Sequence, residues 1–161
     1  MKLLKISIFS MKLQKAKVTD VSKIHRIVSY YATKGLMLPR SLSELYENLQ
    51  EYFVLTDKDN LIGCCALHPT WEDLAEIKSL AVGEKFQNKG YGSKLLKRCE
   101  SEAKILGIKR LFALSFIPEF FKKHNYREIS RKKLPHKIWT ECIKCPQFPN
   151  CKEVPLIKVV K

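Results

Sequence analysis

The stretch "FQNKGYGSKLL", residues 86–96, sets two of the chain's six glycines and two lysines against the start of an apolar helical run. Before it lies a strand-like segment, "LAEIKSLAV" (74–82). After it comes the clearest helix of the chain, residues 92–106, with Leu95, Leu96, Cys99, Ala103 and Leu106 on one face and Gly107 suited to the left-handed closing position. A loop here meets a helix N-terminus, where backbone N–H groups lack intrahelical acceptors and the helix dipole favours negative charge. Glycines at 90 and 92 let the backbone approach a phosphate closely, and Lys89 and Lys94 add countercharge. Taken alone, Q-x-x-G-x-G is a weak pattern that a plain turn also satisfies. It lacks the G-K-[ST] of a Walker loop and the third glycine of a dinucleotide fingerprint.

Working outward, "KLQKAKV" (12–18) alternates as a strand does. Residues 19–35 read as a helix capped by Thr19 or Asp20, with Val21, Ile24, Ile27, Val28 and Tyr31 in one stripe and Gly35 at its end. A shorter helix follows "LPRS", capped by Ser41 or Ser43, with Leu42, Leu45, Tyr46 and Leu49 inward. Strand-like runs at 52–57 and 60–68 flank the hairpin-length turn "DKDN" and precede 74–82. "RLFALSF" (110–116) reads as a buried strand, Pro118 opens a short helix over 118–125, and "PLIKVV" closes the chain as a strand. This order predicts a mixed α/β (α+β) sheet domain.

The chain has 161 residues, enough for one core, and 45% of them are apolar. No apolar run approaches the ~20 residues of a membrane span. The opening "MKLLKISIFS" is too short and too interrupted for a signal peptide, and Met11 offers a second start. Residues 1–10 therefore read as an extension or a mis-called start, and 11–161 as a single domain. The net charge of +14 is uneven: eleven basic and nine acidic residues up to position 80, nineteen and seven after it. Such an excess favours anionic partners without choosing among nucleic acid, an anionic coenzyme and an acidic metabolite. The six cysteines, without a secretion signal, are expected to be reduced thiols in a cytoplasmic protein.

The apolar strand "IKSLAV", Gln87-x-x-Gly90-x-Gly92, an amphipathic helix, a further strand and "FFKKHNY" together resemble the acetyl-CoA-binding core of the GNAT superfamily of N-acetyltransferases. The resemblance covers roughly residues 12–130 and is densest over 74–126. It implies a mostly antiparallel twisted sheet flanked by helices. It also implies a coenzyme diphosphate held by the amides of Gln87, Asn88, Lys89, Gly90, Tyr91, Gly92 and Ser93, and a pantetheine arm in a V between the "SLAV" and "FALSF" strands. "LPRS", "GCCALHP", "EDLAEIKSLAV", "LSFIPEFF" and "LPHKIWTECIKCPQFPNCKE" are further similar to short stand-alone glutamate N-acetyltransferases, which make N-acetylglutamate in arginine biosynthesis. Two departures stand out. Lys78 occupies a position where arginine is common, which keeps the charge and loses the fork. Asn125 replaces the usual glycine, and Asn tolerates positive φ.

Acetyl transfer from a thioester to an amine needs a neutral amine, oxyanion donors and a proton for the thiolate. Alignment of the two reactants alone supplies roughly 7–11 kcal/mol of the barrier. The resemblance implies direct attack through a tetrahedral intermediate, with Leu80, Ala81 and Val82 supplying backbone donors where the strand splays. Glu76 is the candidate base. It lies two residues from Lys78 on the same face of its strand, and is equally readable as a carboxylate merely paired with that lysine. The position at which many relatives carry a proton-donating tyrosine reads Phe121, so solvent or Ser115 is left for that task. Arg40, Lys78 and Lys137 are the cations that the resemblance brings near an acidic acceptor, most simply L-glutamate.

"CIKCPQFPNC" invites a zinc reading through Cys142, Cys145, Cys151 and His136 or His124, but it holds only one full knuckle. Plain thiols are the simpler assignment, so no metal is expected. Two alternatives stay open: a GNAT acetyltransferase for another small amine or a protein N-terminus, and a basic nucleic-acid-binding module. The second lacks any RNA- or DNA-binding signature with interleaved aromatics. Neither nucleic acid nor membrane is expected as a partner. The oligomeric state is left open, with a homodimer among the options.

Overall fold

The computed structural model describes residues 10–134 and 141–161. The described strands are β1 (Met11–Lys15), β2 (Tyr52–Asp57), β3 (Asn60–Trp71), β4 (Leu74–Val82), β5 (Arg110–Ser115), β6 (Arg127–Glu128) and β7 (Val154–Val159). They form one sheet in the order β1-β2-β3-β4-β5-β7-β6. The β4–β5 pair is parallel and every other pair antiparallel. The α-helices described along their full length are α1 (Val21–Thr33), α2 (Leu42–Glu47), α3 (Tyr91–Ile105) and α4 (Pro118–Lys122), and residues 141–143 are also helical. The expected α/β architecture, a mostly antiparallel sheet flanked by helices, is the one observed.

Strand periodicity divides the core between the two faces of the sheet. On β2, Phe53 and Leu55 join the α3 side with Leu95, Leu96, Cys99 and Ala103, while Tyr52 and Val54 join the α1–α2 side with Val21, Ile24, Val28 and Leu45. Several local expectations shift. α2 is capped by Ser41, whose hydroxyl accepts the Glu44 N–H while the Glu44 carboxylate accepts the Ser41 N–H. Its Leu42 and Tyr46 are exposed and only Leu45 is buried within it, while Leu49, just past its end, turns inward from a short 3-10 turn. Two turns of helix bury a narrower stripe than four inward residues require. Asp20 precedes α1 but accepts the Lys17 N–H at 2.8 Å instead of capping the helix. Leu106, beyond the last turn of α3, is exposed, and Gly107 adopts φ 76° as expected.

Two irregularities shape the middle of the sheet. Between the pairs Cys64↔Ala81 and Ala66↔Lys78, Ser79 and Leu80 face the single residue Cys65. Ser79 takes φ 51°, so this is a bulge of the left-handed type. The β4–β5 ladder covers only Leu74↔Arg110 to Glu76↔Phe112, although both strands run on past it. The two strands thus part company beyond Glu76, leaving a wedge between Ile77–Val82 and Ala113–Ser115. Among the described residues no helix is long and apolar enough to cross a membrane.

Candidate active site

Gly90 caps α3 in the left-handed region, φ 82°, and Asn88 joins it there at φ 60°. The first bond of the helix runs from the Lys94 N–H to the Gly90 carbonyl, at 3.1 Å. Among the described residues no protein acceptor meets the amides of Asn88, Lys89, Gly90, Tyr91, Gly92 or Ser93. Gln87 differs. Its N–H already reaches the Glu84 carbonyl, at 3.4 Å, and its side chain donates to the Tyr31 hydroxyl at 2.7 Å and the Val82 carbonyl at 3.3 Å. Tyr31 Oη also donates to the Val82 carbonyl, so α1, the end of β4 and the loop are stapled together. A Cβ on Gly92 would touch the Phe120 ring at 3.4 Å, whereas Gly90 faces open space and is held only by its φ. Ser93 Oγ lies 2.9 Å from His124 Nε2. This row of uncommitted amides fits the diphosphate of a coenzyme.

Past the last β4–β5 pair, a pocket of about 80 Å³ opens, lined among others by Arg40, Glu76, Lys78, Ser79, Leu114 and Arg131. By the same measure a single water needs only ~10–15 Å³. Glu76 is 9% exposed. Burial pushes its carboxyl up to about 7, with Lys78 pulling it down, Glu141 pushing it up, and Arg40 and His68 pulling it down. Lys78 Nζ stands 3.6 Å from Glu76 and 3.0 Å from Glu141. Arg40 pairs with Glu44 at 3.4 Å. His68, opposite Glu76 across β3–β4, holds both Glu51 carboxylate oxygens with Nδ1, at 2.8 and 2.9 Å. Its Nε2 is buried without a partner among the described residues.

The structure therefore brings Glu76, Lys78 and Arg40 together. Lys137 lies outside the described residues, as does His136. Leu80 falls in the bulge, while Ala81 and Val82 return to register with Cys64 and Gly63. Phe121 is buried in the α3-side core, and Tyr126, also buried, donates to Glu100 at 3.2 Å. Ser115 accepts the Ile117 N–H at 3.0 Å and keeps its own proton to donate. Cys142, Cys145 and Cys151 are free thiols on the pocket wall. Among the described residues no group of three or more His, Cys, Asp or Glu side chains is arranged to hold a metal.

Sequence reasoning missed Arg131, Glu141 and Glu153. Arg131 donates to the carbonyls of Cys151 (2.9 Å) and Glu153, fixing the cysteine segment against the pocket. Burial pushes the Glu153 carboxyl up, against the Cys151 contact and the charges of Arg131 and Arg40. Arg131 opens a three-residue 3-10 turn, Glu141 lies in the helical residues 141–143 and Glu153 in a loop, and none of these is long enough for a periodic pattern to mark it.

The acetyltransferase (GNAT) family profile matches residues 24–126. An uncharacterised N-acetyltransferase of Chlorobaculum tepidum is 39% identical over 90% of this chain and 94% of its own. An amino-acid acetyltransferase of Mycobacterium tuberculosis is 34% identical over 80% of this chain and 75% of its own. Among solved structures, N-acetylglutamate synthase from Neisseria gonorrhoeae, complexed with coenzyme A and N-acetyl-glutamate, superimposes with a TM-score of 0.87 at 28% identity. That match covers 94% of this chain and 35% of the synthase.

Proposed function

The chain belongs to the acetyltransferase (GNAT) family, and from that premise we propose that it moves acetyl from acetyl-CoA to the α-amino group of an amino acid, L-glutamate above all. One observation carries the acceptor side of this reading. A buried carboxylate held up to about 7 shares a pocket with the cations of Lys78 and Arg40, where β4 and β5 part. An α-amino group reaches a protein site as an ammonium and must lose a proton before it attacks. A carboxylate titrating near neutrality is matched to taking it, directly or through water. The two cations suit the carboxylates of an acidic acceptor, Arg40 through its two-pronged fork.

The coenzyme supplies the activated acetyl thioester. The amides of Asn88 to Ser93 would hold its diphosphate, and the wedge between β4 and β5 would take its arm. The bulge at Ser79–Leu80 leaves backbone groups outside the β3–β4 ladder, and an N–H there is the candidate oxyanion donor. Solvent, or the Ser115 hydroxyl, would protonate the departing thiolate. On this reading residues 11–161 form one catalytic domain, and its product is N-acetylglutamate, for arginine biosynthesis in the cytoplasm.

Release of free thiol from acetyl-CoA, measured with each of the twenty amino acids, tests the proposal. Glutamate is expected to give the highest kcat/KM. Release no faster than without an amino acid, for all twenty, would refute it.

A further inference from the structure

Among the described residues Lys78 is the cation nearest the candidate base, and a second carboxylate already holds it. Its Nζ lies 3.0 and 3.4 Å from the two oxygens of Glu141, against 3.6 Å from Glu76. The side chains of Lys78 and Glu76 are 10% and 11% exposed, while that of Glu141 is 45% exposed. A cation fixed on β4 is thus tied to an anion on the open side of the pocket. Burial pushes the Glu141 carboxyl up, but the Lys78 bond and charge, then Arg40 and His68, bring it below its usual value. It stays ionised at neutral pH.

A cation this enclosed needs a compensating charge, and the two carboxylates supply it. An acidic acceptor must bring a carboxylate to the same ammonium. Glu76 cannot leave, because it is part of a central strand and buried. Glu141 can leave, because it borders solvent and lies outside the sheet.

We infer that Glu141 is a placeholder that sets the affinity for an acidic acceptor, occupying Lys78 while the acceptor pocket is empty and giving way to the side-chain carboxylate of an acidic amino acid. The inference rests on the acceptor reading above and deepens it. An acidic acceptor exchanges one ion pair for another, so its net gain from Lys78 is small. A short neutral amino acid offers nothing to replace Glu141 and finds Lys78 still covered.

The test is Glu141→Gln, which keeps shape and removes charge. KM and kcat are measured for glutamate and for glutamine, a near-isosteric acceptor with an uncharged side chain, at low and high ionic strength with saturating acetyl-CoA. Coenzyme affinity by calorimetry reports an intact fold. The expected result, read above pH 8 where Glu76 is ionised with or without the Glu141 charge, is a roughly three- to tenfold fall in the glutamate KM with kcat unchanged, since a partly exposed pair no longer has to be broken. The gain shrinks at high salt. Any change in the glutamine KM stays within about twofold.

An unchanged or raised glutamate KM, with normal coenzyme affinity, overturns the placeholder and leaves the acceptor reading standing. No turnover of glutamate by either protein overturns both. Should Glu141→Gln lose coenzyme binding, Glu141→Asp, which shortens the reach to Lys78, must lower the glutamate KM or the inference fails.

Discussion

Replacing Glu76 by glutamine should move activity and stability in opposite directions. With its carboxyl at about 7, Glu76 is ~90% ionised at pH 8, ~10% at pH 6 and ~1% at pH 5. The wild-type kcat/KM should therefore climb about tenfold per pH unit below neutrality and level off above it. Loss of a general base costs roughly 10²–10⁴-fold, so Glu76→Gln should show that deficit in full at pH 8 and much less of it at pH 5. The stability effect has the other sign. The folded-state value near 7 lies above the ordinary 4.5, so between those pH values the native protein binds a proton that the unfolded chain lacks. Stability falls as pH rises through that window, by up to about 3 kcal/mol, and stays level beyond it. Glutamine cannot ionise, so the variant should gain up to that amount at pH 8, or roughly 5–10 °C in Tm. Thiol release across pH 5–8 and urea unfolding at both ends are the assays. A flat wild-type pH profile, or a deficit under tenfold at pH 8, would show Glu76 to be a paired structural carboxylate and not the base.

Further expectations follow from the same geometry. Arg40→Ala should raise the glutamate KM roughly ten- to hundredfold, since hydrogen bonds to charged groups contribute about 1.5–3 kcal/mol. Coenzyme affinity, measured by calorimetry, should not move. Gly90→Ala meets no neighbour but must hold φ 82°. It should cost about 1–2 kcal/mol and weaken coenzyme binding, read as a lower Tm and a raised Kd. A Cβ at Gly63 would stand 2.6 Å from the Ala81 carbonyl, so Gly63→Ala should lower the Tm by roughly 3–10 °C through overpacking beside the bulge.

How far the sequence could be read depended on whether a residue acts through a pattern or through a contact. α3, β4 and the glycine loop were legible because their apolar spacing, glycines and lysines are local signals. Glu76 and Lys78 were legible because residues two apart on a strand share a face. Arg40 came only through resemblance, as nothing near "LPRS" says what it meets. The wedge itself is a matter of pairing: β4 and β5 stop bonding after Glu76↔Phe112, and each strand taken alone gives no sign of that. Ser79 at φ 51° was invisible for a similar reason, because serine does not advertise the left-handed region as glycine does. Glu141 and Arg131 act across long sequence separations from short helical stretches, 141–143 and Arg131–Lys133, that show no periodic pattern to mark a residue. α2 misled because four apolar residues at helical spacing imply a broader buried face than its two turns provide.

The most direct test of the central claim is a crystal structure of the protein with acetyl-CoA bound. The account predicts the diphosphate on the amides of Asn88 to Ser93, with the thioester end reaching the wedge beside Glu76. A coenzyme seated elsewhere, or those amides turned onto acceptors of the protein itself, would contradict it.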